Sequence, residues 1–280
     1  MSGRFRSFSF VDRITRRDGG RVEGHYSVPL GVHFPGSLMS EAVGQLAAWS
    51  SMGSLDFAFR PVAGLASAVH YHQTPKPGCT LQLQADIERC DAEAVAYSGK
   101  AFIDGQLALE LVDSVGPMLP MDEFDQPEAV RADFHTLLGG GAALGRFGGV
   151  PLPELHDRQV EPGERLGATL WVPEADAAPY FADHFPRRPV FPGTLLMDAL
   201  ATLSVQLVQQ SGPLAGIGEL VTRKVTQVKI RSFTAPGARL QLEVVLQDAD
   251  AQRARLKVMA RSEDKTVATA RIEVTPRSVA

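Results

Sequence analysis

Cysteine is nearly absent: Cys79 and Cys90 are the two in 280 residues. A disulfide framework is therefore excluded, and a reducing compartment suits the chain. An excess of charge of one sign is also lacking. With 28 Lys and Arg against 32 Asp and Glu, the formal net charge is -4. That balance gives no broad basic field and argues against a nucleic-acid partner. No apolar run approaches the roughly 20 residues that cross a bilayer. Residues Met1 to Arg17 are rich in Arg, Ser and Phe but hold no apolar signal core. The expectation is a cytoplasmic protein with no membrane segment.

What is present suits a globular chain. Hydrophobic residues make up 44% and charged residues 21%, and the length allows one large or two ordinary domains with a substantial core. An internal repeat favours two. Lys76-Pro77-Gly78-Cys79-Thr80-Leu81-Gln82-Leu83 matches Ala235-Pro236-Gly237-Ala238-Arg239-Leu240-Gln241-Leu242, with the shared Pro-Gly 159 residues apart. Phe34-Pro35-Gly36-Ser37-Leu38 matches Phe191-Pro192-Gly193-Thr194-Leu195 at a spacing of 157. Val11-Asp12-Arg13 and His156-Asp157-Arg158, then Val28-Pro29 and Val172-Pro173, follow the same order. Two copies of one unit are expected, 1–125 and 151–280. Between them lies a linker, 126–150, that is Gly-rich from Gly139 to Gly149.

Each copy reads alike. A Pro-Gly turn leads into an apolar helix, about Ser37 to Met52 in the first and Thr194 to Gln210 in the second. The hydroxyls of Ser37 and Thr194 suit a helix start, where they accept first-turn N–H groups. Both helices are apolar around most of their circumference and are expected to be buried. Strand-like alternation follows, as in Leu81 to Ile87, Ala254 to Val258 and Val267 to Val274. One buried helix wrapped by an antiparallel sheet, made twice, is an α+β architecture.

The densest motif is His184-Phe185-Pro186-Arg187-Arg188-Pro189-Val190-Phe191-Pro192-Gly193, followed by a helix bearing Asp198. It closely resembles the active-site stretch of the β-hydroxyacyl-acyl-carrier-protein dehydratases of bacterial fatty-acid synthesis. Their pattern is His-Phe-Pro, two variable residues, Pro-Val, one residue, Pro-Gly, then a helix with an acid. The His-to-acid separation, 184 to 198, also agrees. The resemblance implies a hot-dog fold, a long helix lying in a curled sheet. With the repeat it implies a double hot-dog, a fused form of the family's usual dimer. The first copy departs from the pattern. Its helix carries Glu41 and, one turn on, Gln45, but the position matching His184 holds Ser27. Between Val-Pro and Phe-Pro-Gly it is 13 residues shorter than the second copy.

In the family the His comes from one subunit and the acid from its partner. Carried over, His184 faces Glu41 across the pseudo-twofold axis. A site using Asp198 with His33 or His25 stays open, as does a structural role for Asp198 beside Thr202. The implied reaction is dehydration of a (3R)-hydroxyacyl thioester to a trans-2-enoyl thioester, in fatty-acid or polyketide-type synthesis. A neutral imidazole takes the C2 proton and a protonated carboxylic acid gives one to the departing oxygen. Burial among Met39, Ala42 and Val43 favours the protonated form of Glu41. Gln45 holds that acid in place. Backbone N–H groups of Gly193 and Thr194, or of Gly36 in the other copy, stabilise the thioester oxygen.

No metal or redox cofactor is implied, since phosphopantetheine arrives with the substrate on acyl carrier protein or coenzyme A. His70 and His72 share a strand face but have no evident third ligand nearby. Arg187 and Arg188 suit an acidic carrier or a phosphate, and equally a solvated corner. The rivals are a hot-dog acyl thioesterase and a non-catalytic acyl-binding partner of a synthase. A homodimer through a sheet edge stays open.

Overall fold

The computed structural model describes residues 7–151, 153–210 and 212–277. Alternating side chains build the strands. In β5 (Thr80–Cys90), Leu81, Leu83 and Ala85 are buried while Thr80, Gln82 and Asp86 face water. In β12 (Ala254–Ser262), Ala254, Leu256 and Val258 are buried while Arg255 and Lys257 are exposed. This is the period-two pattern of a sheet with one covered face.

The remaining strands of the first half are β1 (Arg13–Asp18), β2 (Arg21–Ser27), β3 (Phe59–Pro61), β4 (Leu65–Tyr71), β6 (Ala94–Ile103) and β7 (Gln106–Pro120). Those of the second are β8 (Glu154–Glu161), β9 (Arg165–Trp171), β10 (Leu220–Ile230), β11 (Arg239–Ala249) and β13 (Lys265–Pro276). Among the described residues they form one antiparallel sheet, ordered β1-β2-β5-β6-β7-β4-β10-β13-β12-β11-β9-β8, with β3 paired to β7 off this path. The order reads the same from either end. β2, β5, β6, β7 and β4 correspond to β9, β11, β12, β13 and β10. The halves meet where β4 pairs with β10, Val69 opposite Val225.

Helix α1 (Ser37–Ser54) lies against β2, β5, β6 and β7, and α3 (Gly193–Gln210) lies against β9 to β13. The two helices also touch each other. Leu38, Met39, Val43 and Leu46 of α1, and Leu200, Leu203 and Leu207 of α3, are fully enclosed. The double hot-dog is thus two wrapped helices under one continuous sheet.

The stretch between the copies is partly regular. It carries α2 (Pro127–Leu138), whose Phe134 stacks on Trp49 of α1 at 6.3 Å and meets Phe57 edge-on at 5.5 Å. The Gly-rich part beyond it forms no helix or strand, yet it is anchored. Ala142 N donates to Asp12 O at 2.7 Å, and buried Phe147 packs on Phe10 and Phe34.

Gly99 in β6 marks a close approach of sheet to helix. A methyl group there would collide with Val43 Cγ1 and stand 2.6 Å from the Gln84 carbonyl. Gly99→Ala should lower the unfolding free energy by about 1–3 kcal/mol, the usual cost of overpacking. Gly148→Ala, where nothing lies within 4 Å, should change it little. Urea denaturation of the two variants checks the difference.

Candidate active site

A cavity of about 260 Å³ runs along one face of α1, past Glu41, Gly44, Gln45, Ala48, Trp49 and Met52. Their spacing of three and four residues puts them in one row. His184, Gly193 and Thr194 of the second half line the same cavity. The structure therefore brings His184 and Glu41 together from opposite halves.

Backbone geometry aims His184. A 3₁₀ turn, Pro179–Ala182, precedes it, and His184 N donates to Tyr180 O at 2.9 Å. Phe185 then sits at φ +67°, a left-handed conformation that is strained for a bulky residue. The Phe185 ring joins Val62, Phe124 and Val190 in a small apolar cluster and lies 4.3 Å from the His184 ring, and both side chains line the cavity. Nδ1 lies 2.7 Å from the Val190 carbonyl. A carbonyl can only accept, so Nδ1 carries the hydrogen and Nε2 is left as the basic nitrogen. Burial pushes the imidazole pKa below its ordinary 6.5; Glu41 opposes that shift and Arg60 reinforces it.

Glu41 is held on both oxygens. Gln45 Nε2 donates to Oε1 at 3.1 Å and Thr194 Oγ1 donates to Oε2 at 2.7 Å. The rest of the Gln45 amide is engaged too: Nε2 donates to Phe8 O at 3.0 Å and Oε1 accepts from Phe10 N at 2.8 Å. Gln45 thus orients the acid rather than reaching for a ligand. The contact repeats in mirror image, for Ser37 Oγ donates to Asp198 Oδ1 at 3.1 Å. This corrects the expected capping role. Residue Gly36, already in the helical region, stands at the N-cap of α1 without a side-chain cap. Ser37 and Thr194 lie inside their helices, so their hydroxyls reach across to the other helix.

Two segments of the first half grip the His184 loop. The strap at residues 7–12 runs under it. Asp183 Oδ2 accepts from Ser7 N at 2.7 Å, Phe8 N at 2.9 Å and Ser9 Oγ at 3.3 Å. The Phe8 ring meets His184 edge-on at 5.5 Å. The motifs did not reveal this strap, although Ser7-Phe8-Ser9-Phe10 alternates as a half-buried extended segment does. On the other side, Arg187 Nη1 donates to Asp122 O at 3.0 Å, and Arg188 Nη1 donates to Glu123 Oε2 at 3.0 Å. Arg188 also stacks over Phe233 at 4.9 Å. Both arginines tie the loop to its own chain while staying exposed.

Asp198, His33 and Gly36 do not line this cavity. Burial raises the Asp198 pKa, against the hydrogen bond from Ser37 and the nearby His33. His33 is exposed, and His25 on β2 lies beside Asp12 rather than Asp198. Gly36 packs against Tyr71. His70 on β4 and His72 just past its end stack at 6.3 Å, alternating with the cavity-lining Val69 and Tyr71. The described residues contain no group of three or more His, Cys, Asp and Glu placed to hold a metal. Nor is any helix among them long and apolar enough to cross a membrane.

Residues 172–271 match the family model of the FabA-like domain. The 3-hydroxyacyl-acyl-carrier-protein dehydratase FabZ of Zymomonas mobilis is 36% identical over 108 residues, 38% of this chain and 67% of that one. The FabZ of an Anaeromyxobacter species is 40% identical over 88 residues, 30% of this chain and 54% of that one. The chain thus spans from about half to two thirds of the length of these relatives. Among solved structures, the dehydratase domain of PpsC from Mycobacterium tuberculosis superposes with a TM-score of 0.55 at 12% identity, covering 96% of this chain and 99% of that one. The 12:0-ACP thioesterase from Umbellularia californica superposes at 0.53 and 14% identity, covering 92% and 95%. Both establish the fold.

Ionised Asp198 opposes folding, because its folded pKa lies above the unfolded one. Asp198→Asn should therefore leave the melting temperature at neutral pH equal or higher. Calorimetry against the parent checks this, and a fall of several degrees would contradict it.

Proposed function

Because the chain belongs to the 3-hydroxyacyl-acyl-carrier-protein dehydratase family, we propose that it removes water from (3R)-hydroxyacyl thioesters at the His184–Glu41 site. The observation that carries this reading is the shared cavity: a half-buried imidazole with a basic Nε2 and an oriented carboxyl, one from each half. We take 1–125 and 151–280 as the two hot-dog units and 126–150 as their connection.

The reaction follows from the two groups. His184 Nε2 takes the proton from C2. Charge grows on the thioester oxygen, and the first-turn N–H groups of α3 at Gly193 and Thr194 are the donors that meet it. Glu41 passes a proton to the C3 oxygen. The C3–O bond breaks, water leaves, and the C2=C3 double bond forms. Each acid–base step of this kind contributes about 10²- to 10⁴-fold. Thr194 has two roles, since its hydroxyl holds Glu41 while its backbone opens α3. The substrate brings its phosphopantetheine arm from acyl carrier protein, and the residues need no metal or redox group for this chemistry. The outer strands β1 and β8 are the sheet edges through which a homodimer would form.

A 3-hydroxyoctanoyl pantetheine thioester, with products weighed by mass spectrometry, tests the reading. The expected product is the enoyl thioester. His184→Ala and Glu41→Gln should each lower kcat/KM by about 10³-fold or more. Free acid released by the parent enzyme would sink the proposal and favour a thioesterase. Burial stabilises the neutral, basic form of His184. The acidic limb of the kcat/KM profile should therefore fall below pH 6.5, the ordinary histidine value. A limb well above that value would contradict the assignment of the base.

A further inference from the structure

Arg60 on β3 lines the same cavity as His184 and Glu41, yet the acid–base steps leave it without a part. Its surroundings hold it in place. Pairing with β7 sets it opposite Leu119. Its Nη1 lies 3.6 Å from Asp125 Oδ2, with 19% of the Arg60 side chain and 5% of the Asp125 side chain exposed. Charges this enclosed are screened far less than charges on the surface. The guanidinium also stands over the Phe185 ring, 4.6 Å from its centre, on the face that attracts cations. The Phe185 ring in turn lies 4.3 Å from the His184 ring. A cation, an aromatic ring and the basic imidazole thus follow one another along the cavity wall. Asp125 belongs to the segment that receives the His184 loop, where Arg187 N donates to Phe124 O at 3.1 Å. One short segment therefore anchors both Arg60 and the loop.

Charge gives this arrangement a use. Among the described residues, the charged side chains that act on the imidazole are Glu41 from α1, Asp183 from its own loop and Arg60 from β3. The two carboxyl groups favour its protonation, whereas burial and Arg60 oppose it. A general base must be neutral to take a proton. Flanked by two acids, it gains from a cation fixed on another side. Arginine suits that place, because its guanidinium keeps its charge at every working pH.

We infer that Arg60 is a positioning residue of the His184–Glu41 site: held by Asp125 and laid on Phe185, it sets a permanent positive charge beside the imidazole and keeps the base ready to accept a proton. It acts through His184 and not on the substrate. The inference rests on the dehydratase reading, in which His184 is the base.

The test is the titration midpoint of His184, read in two ways. One is the acidic limb of kcat/KM with 3-hydroxyoctanoyl pantetheine thioester. The other is NMR of the imidazole ring, assigned by its loss in His184→Ala. Arg60→Met keeps an apolar side chain against Phe185 and removes the charge. Its midpoint should rise by about half a unit or more, which lowers kcat/KM about threefold below the limb and little on the plateau. Arg60→Lys keeps the charge and should leave the midpoint near that of the parent. Asp125→Asn removes the counter-charge, so its midpoint should fall. Loss of folded protein lowers activity at every pH and cannot move midpoints in opposite directions. Should Arg60→Met fail to fold, a fall in Asp125→Asn supports the inference and no fall overturns it. An unmoved midpoint in Arg60→Met, with enoyl product still formed by the parent, would overturn the inference and leave the dehydratase reading intact. So would a raised KM with an unmoved midpoint, which would make Arg60 a substrate contact. No enoyl product from the parent, with ring titrations that move as described, would sink the dehydratase reading while the effect of Arg60 on His184 stands.

Discussion

Two hydrogen bonds cross between the buried helices, Thr194 to Glu41 and Ser37 to Asp198, and the geometry of the site depends on them. A carboxyl near the start of an enclosed helix needs donors, because an unsatisfied polar group there is costly. Each helix supplies one from its first turn to the acid of the other. The same contact that satisfies the acids also fixes how the two halves meet. It sets Glu41 in the cavity that His184 enters. The continuous sheet, joined through β4 and β10, holds the helices in that relation.

The two halves share a frame but divide the work. The second half carries the extra residues before its Phe-Pro-Gly, and these form the 3₁₀ turn, Asp183, His184 and the strained Phe185. The first half has no room for such a loop. It supplies instead the acid, the glutamine that orients it, and two supports for the loop: the strap at residues 7–12 and the segment 121–125. The symmetry-related acid, Asp198, keeps its hydroxyl donor but has exposed His33 nearby in place of a half-buried His. The first half, with its shorter connection, thus braces the loop of the second.

Much of this was legible in the residues. Repeated Pro-Gly and Leu-Gln-Leu marked two copies, and dense apolar helices with alternating strands marked the α+β frame. The His184 motif and the Glu41–Gln45 turn named the groups now found in one cavity. What was hidden depended on distance along the chain. Asp183 gripping Ser7 and Phe8 joins residues about 175 apart, and no local pattern reports such a pairing. Ser37 and Thr194 were read as caps because capping is a local rule, whereas their partners lie on the opposite helix. For Arg187 and Arg188 the residues left a carrier contact and a solvated corner open, because sequence does not show Phe124, Phe233 and Glu123 arriving beside Arg188.

That one pair of residues, drawn from both halves, does the chemistry is tested most directly by combining the substitutions. Groups that act as a unit are strongly non-additive. The double variant His184→Ala/Glu41→Gln should therefore have a kcat/KM close to that of the slower single variant. If its loss equals the product of the two single losses, the residues act independently and the cross-half pair is contradicted.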